Sequence, residues 1–177
     1  VGTPVTTPAE VAAYLATHAP PTPGEPPPTR IPTGVMLQSV EFLNANNVQV
    51  SGYVWQVYEP TVPAELRAPV VLPEAVREAY GATQAYRATV DGVETVGWYF
   101  AATLRQPFEY DAYPFDRQDV WIRLWHPSFT HDVQLVPDLA SYRDTDPTTL
   151  PGIEDQFVYG GWSPLYSGFS FAINAYD

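Results

Sequence analysis

Residues 34–60 read GVMLQSVEFLNANNVQVSGYVWQVYEP. Val35 and Leu37 alternate with polar neighbours, the run 44–47 (NANN) is turn chemistry, and Val48, Val50, Tyr53, Trp55 and Val57 carry the apolar content onward. A two-residue period places alternate side chains on opposite faces, as a half-buried strand requires. Two such runs joined by a short polar turn form a hairpin. A chain organised around a long hairpin of this kind belongs to the all-β class.

The flanking sequence repeats the theme. In TQAYRATVDGVETVGWYFAATLRQPFEY, residues 83–110, Asp91-Gly92 is a strong hairpin signal, because a tight two-residue turn needs positive φ at both positions. QDVWIRLWHP (118–127), VQLVPD (133–138), FVYGGWSP (157–164) and YSGFSFAINAYD (166–177) read as further strands. APVVLPEAVREAYGA, residues 68–82, is open between a strand ending at Pro73 and a short helix from Glu74. The sum is about eight to ten short strands with turn signals between them, the pattern of an antiparallel, immunoglobulin-like β-sandwich. Upstream, PAEVAAYLATH (8–18) is expected to be a short helix capped by Thr7, with Val11, Tyr14 and Leu15 on one face. APPTPGEPPPTR (19–30) is a proline-rich, extended linker. The expected division is therefore a helix and linker over 1–30 and a sandwich over 31–177.

The chain carries 20 acidic and 8 basic residues, a net charge of −12, and all of the basic ones are Arg. Such a field repels a polyanion, so nucleic acid is not an expected partner. With no cysteine there is neither a disulfide framework nor a thiolate metal site. No apolar run approaches the ~20 residues that span a membrane as a helix. No Gly-x-Ser-x-Gly elbow, phosphate-binding glycine loop or His-Glu-x-x-His string is present. The expectation is a binding protein without cofactor or metal, and not an enzyme. His126 and His131 bracket one loop with Asp132 beside them, but a single five-residue spacing does not specify a metal site, and a satisfied surface histidine or a pH-sensitive contact is the expected use; the acidic run Asp144 to Asp155 lacks the glycine-bearing pattern of a calcium loop, and whether that run binds calcium stays open.

The most specific stretch is Gln106 to Val120, QPFEYDAYPFDRQDV. Its centre, Tyr113-Pro114-Phe115-Asp116, resembles the loop signature of pentameric ligand-gated ion channel ectodomains. In animal members two cysteines close that loop; here Gln106 and Val120 stand at those positions, as expected of the prokaryotic type. The first hairpin, Leu72-Pro73-Glu74, Asp91-Gly92 and Gly161-Trp162 fall in the family's order, so the resemblance covers residues 31–177.

The resemblance implies an extracytoplasmic sensory domain, periplasmic or at the cell surface, that assembles with copies of itself, a pentamer in the channels. It implies a small-molecule site between subunits in a box of aromatic side chains, which attract amines and stack on flat rings. Tyr53 and Trp55 would lie on the complementary face. Trp125 and Phe129 would lie on the principal face, with Tyr80 from the first binding loop and with Tyr166 and Tyr176 beside the last. Arg105 and Arg123 are available to a carboxylate ligand. Tyr113, Pro114, Phe115 and Asp116 would relay binding to a membrane-attached effector. On this pattern the sequence ends at Asp177 within the penultimate strand, and the last binding loop and membrane segments are expected to lie outside it. Core or interface packing is the other use of these aromatics, and turn capping the other use of Asp116. The competing reading is a free-standing module whose aromatic platform stacks on carbohydrate.

Overall fold

A computed structural model describes residues 2–159 and 161–173. The order of elements is β1 (Thr3–Val5), α1 (Pro8–His18), β2 (Thr29–Asn44), β3 (Asn47–Tyr58), β4 (Ala75–Val90), β5 (Val93–Arg105), β6 (Val133–Pro137), β7 (Ile153–Tyr159) and β8 (Phe169–Phe171). The chain is an all-β, sandwich-like fold with one short helix.

The main sheet runs β4-β5-β3-β2-β6, with β7 also pairing β2. Both expected hairpins form: β2 pairs β3, and β4 pairs β5, antiparallel. Asp91 (φ 52°) and Gly92 (φ 81°) supply the positive dihedrals that the second turn needs. β6 and β7 instead join β2 in parallel, one after the other along its length, β6 on Thr29–Thr33 and β7 on Leu37–Val40.

Alternation in β3 and β5 builds the core. Val48, Val50, Val54 and Tyr58 from β3 meet Val96, Trp98, Phe100, Ala102 and Leu104 from β5 on one face, all buried. Burying each large side chain contributes roughly 1.5–3 kcal/mol. Val62, Leu66, Val70, Leu72 and Phe108 close the core from the second layer. Gln56 is fully buried among them, accepting from Tyr58 Oη at 2.6 Å and donating to Thr33 Oγ1 at 3.4 Å. Arg67 lies 5.5 Å from the Tyr58 ring centroid, donates to Val62 O and pairs with Glu94, pinning the chain between β3 and β4.

The second layer departs from expectation. Val120, Ile122 and Leu124 pack on the core as a strand would, yet residues 118–127 form no strand and share a single bridge, Val71 with Trp125. That bridge has both bonds, at 2.8 and 2.9 Å. Continuing it would need donors at 69, 73 and 127, and each is proline. Residues 72–75 resolve into a tight turn, Ala75 N–H to Leu72 O, rather than a helix.

Thr7 caps α1 as expected, accepting from Glu10 N–H. Val11 and Leu15 form a second small core with Val5, Leu139 and Phe171, where β1 pairs β8. Among the described residues, the last expected strand, 166–177, is regular over Phe169–Phe171, and Tyr176 lies outside them.

Candidate functional site

The face of the sheet opposite the core carries the best-organised group of polar and aromatic side chains. Register fixes it in rows, because directly paired residues share a face. The first row is Gly34 (β2), Trp55 (β3), Gly97 (β5) and Tyr86 (β4). The second is Met36, Tyr53, Tyr99 and Thr83. The third is Ser39, Ser51 and Ala101, and the fourth Glu41, Gln49 and Thr103. The face grades from aromatic to polar along the strands.

In the aromatic half, each large ring lies over a glycine. A Cβ at Gly34 would stand 2.1 Å from the Trp55 indole, and one at Gly97 would stand 2.1 Å from the Tyr86 ring. Glycine at these two positions lets the rings lie down on the backbone. Tyr53 and Tyr99 meet edge-on, centroids 5.6 Å apart. Tyr99 and Tyr86 are 40% and 44% exposed, so this face offers ring surface to solvent.

Asp138 anchors the row. Trp55 Nε1 donates to its Oδ2 at 2.9 Å, and Ser141 Oγ to the same oxygen at 2.5 Å. Tyr142 packs against Trp55, centroids 5.4 Å apart, and locks onto β2: its hydroxyl donates to Val35 O and accepts from Val35 N–H. Burial, with the Asp138 charge in support, raises the pKa of Tyr142 and of Tyr86. Both rings are therefore neutral donors at neutral pH.

The expected site residues do not come together in one place. Tyr53 and Trp55 lie in the rows above. Tyr80 lies on the opposite face, paired with buried Ala102, its hydroxyl donating to Val70 O at 2.8 Å. Trp125 and Phe129 belong to the second layer: Trp125 pairs Val71 on the side away from the core, and Phe129 is 82% exposed. Arg123 is ion-paired with Glu74 there. Arg105 shares the outer face with Tyr99 but lies six residues along β5, about 20 Å away at strand rise. Tyr166 is exposed, and its hydroxyl donates to Asp119 at 2.5 Å, which raises its pKa.

The loop 106–120 occupies the sheet end at the β2–β3 turn, with Gln106 N–H on Asn46 O and Phe108 N–H on Ala45 O. Phe42, Phe108, Tyr110 and Trp162 pack beneath it. Tyr113 and Phe115 are 77% and 88% exposed, so they project from the end rather than plug it. The Tyr113–Pro114 peptide is cis, and Asp116 accepts from Gln118 Nε2 at 3.0 Å.

His126 is engaged structurally: Nε2–H donates to Leu66 O at 2.9 Å, and Nδ1 accepts from Ser128 N–H at 3.0 Å. In the acidic run, Asp144 accepts from Asp146 N–H, and Asp146 accepts from Thr148 N–H and Oγ1. Among the described residues no cluster of three or more His, Asp or Glu is placed to hold a metal ion. Among them, too, no helix is long and apolar enough to cross a membrane.

Tyr86, Tyr99, Asp138 and Tyr142 were not singled out in the sequence. The Asp91-Gly92 turn alone pairs Tyr86 with Gly97 by counting outward, whereas Tyr142 reaches Trp55 only through tertiary packing. No protein-family model matches the chain, and a search of curated proteins finds no match.

Proposed function

We propose that the chain is an extracytoplasmic, ligand-binding sensory domain that works as a homo-oligomer and relays small-molecule binding through the Tyr113–Asp116 loop. The observation that carries this reading is the placement of the two aromatic groups on opposite sides of the sandwich. Tyr53 and Trp55 lie outside the main sheet, and Trp125 and Phe129 lie outside the second layer. Within one protomer the core stands between them. A second copy, presenting its Trp125 side to the Tyr53–Trp55 side of the first, would close an aromatic box at the boundary.

The ligand class follows from the surfaces. Neutral phenol and indole faces, in a chain of net charge −12, favour an organic cation, each cation–π contact contributing about 0.5–2 kcal/mol. The loop supports the relay role by its position: its exposed Tyr113 and Phe115 form one end of the domain, bonded through its base to the β2–β3 turn.

The test is complementation. Choline is titrated by tryptophan fluorescence into the wild type, Trp55→Ala, Trp125→Ala, and an equimolar mixture of the two variants reassembled together. Each variant alone is expected to lose binding, and the mixture to regain part of it, since some boundaries then join two intact faces. Loss in both variants without recovery in the mixture removes the shared boundary site. Full binding by both variants removes the aromatic box altogether.

The exposed row of Trp55, Tyr53, Tyr99 and Tyr86 is also what a free-standing carbohydrate-binding module would present. Under that reading the protein stays monomeric, and Trp125→Ala binds normally.

A further inference from the structure

The polar half of the outer face is shaped by an irregularity in β2. Leu37 pairs Gly52, but Ser39 pairs Ser51, so Gln38 is an extra residue against β3. The bulge rests on close contact: a Cβ at Gly52 would stand 2.1 Å from Met36 O. It also resets the alternation, keeping Ser39 and Glu41 on the same face as Met36, where an unbroken strand would turn them into the core. On the other side of β2, Leu37 pairs Ile153 and Ser39 pairs Val158, so β7 arches away over residues 154–157.

Between the bulge and the arch lies a cleft of about 440 Å³, lined by Ser39, Glu41, Gln49, Ser51, Tyr99 and Val158. It continues into a neighbouring hollow of about 340 Å³ that adds Gln38, Glu154 and Gln156. Ser39 and Ser51 share the floor, their hydroxyls 2.5 Å apart; one donates to the other, which leaves a donor and lone pairs for a ligand. The side chains of Glu41, Glu154, Gln38, Gln49 and Gln156 make no hydrogen bond or ion pair among the described residues. The lining contains two carboxylates and no Arg or His.

We infer that this groove is a second binding site, contained within one protomer, for a small organic amine carrying more than one hydrogen-bonding group. Glu41 at one end and Glu154 at the other receive ammonium groups, the serine pair and glutamines accept from the remaining N–H donors, and the Tyr99 ring closes one wall. The absence of a cation from the lining selects against carboxylates and phosphates. The site is independent of the aromatic box, because it needs no partner subunit and no contribution from Trp55 or Trp125.

The probe is 1,4-diaminobutane, followed by isothermal titration calorimetry on the full 177-residue chain, with far-UV circular dichroism confirming that each variant folds. Wild type is expected to bind saturably, and Glu41→Gln with Glu154→Gln to weaken binding by about tenfold, the loss of two exposed charge pairs. Trp55→Ala is expected to bind as wild type does, and 1,4-butanediol, which lacks the charge, not to bind. Absence of saturable heat with wild type, equal affinity for the diol, or an unchanged constant in the double glutamine variant would each overturn the assignment. Loss of diamine binding in Trp55→Ala would also overturn it, by moving the amine to the aromatic row.

Discussion

The side-chain amide of Gln106 holds both backbone groups of Trp121: the Trp121 N–H donates to Gln106 Oε1 at 2.9 Å, and Gln106 Nε2 donates to the Trp121 carbonyl. An amide side chain thus acts as a one-residue strand that closes the loop carrying Tyr113–Asp116. Gln106 is buried, so truncation would leave both Trp121 groups without their partner. Gln106→Ala is expected to cost about 1–3 kcal/mol in urea unfolding, and Gln106→Glu at least as much at neutral pH, because its carboxylate keeps the acceptor for Trp121 N–H but buries a charge and turns a second oxygen on the Trp121 carbonyl. Hydrogen exchange at residues 107–121 should accelerate in both variants.

Two glycines that look alike in sequence should behave differently. An added methyl at Gly52 meets Met36 O, which is backbone and cannot swing away, whereas one at Gly97 meets the Tyr86 ring, which can rotate off the sheet. Gly52→Ala is expected to destabilise by more than about 2 kcal/mol. Gly97→Ala is expected to cost under about 1 kcal/mol while weakening choline binding, because it lifts Tyr86 from the aromatic row. Paired thermal melts and titrations separate the two effects.

Much of this architecture was legible before any coordinates. Alternation in 34–60 and the Asp91-Gly92 turn marked both hairpins, because period two and turn geometry are local properties. The strand expected at 118–127 failed through its partner: prolines at 69 and 73, on a segment far away in sequence, remove the donors that a ladder would use. The parallel pairing of β6 and β7 on β2 is likewise a matter of long connections that no local pattern encodes. At the site, Tyr53 and Trp55 were named through the family resemblance, as a complementary binding face. Ser39 was not, since its face depends on a bulge at Gln38 whose local sign, Gly52, lies on the neighbouring strand.

Alkaline pH should expose the tyrosines that this packing keeps neutral. Burial raises the pKa of Tyr58, Tyr142, Tyr80 and Tyr86 above the ordinary value of 10.0. A group whose folded-state pKa is raised lends stability that is complete below the unfolded value and is lost as pH climbs through the folded one. Stability is therefore expected to hold up to about pH 10 and to fall above it. Tyr142→Phe should lower stability at pH 7 by about 1–3 kcal/mol, since Val35 loses its hydroxyl partner, yet flatten the alkaline decline. Urea midpoints measured from pH 7 to 11 in both proteins test the sign. A decline equally steep in the variant would show that Tyr142 is not among the titrating groups.

The exposed tip of the loop makes the relay role separable from folding and binding. Tyr113 and Phe115 stand 77% and 88% exposed and carry little of the domain's packing energy. Replacing both with Ser should shift unfolding by less than about 0.5 kcal/mol, the range of surface substitutions. Choline titration should be unaltered as well, because the row of Trp55 and Tyr86 lies on the sheet face and not at this end. Asp116→Asn perturbs the same element from inside, replacing the carboxylate that accepts from Gln118 Nε2 with an amide. In a membrane-attached protein carrying this domain, both changes are expected to reduce the response to ligand while leaving its binding constant in place. An unchanged response in both would detach the loop from signalling and leave its aromatic tips to some other contact. A changed binding constant would instead tie the loop to the ligand site, through the β2–β3 turn that Phe108 and Gln106 hold.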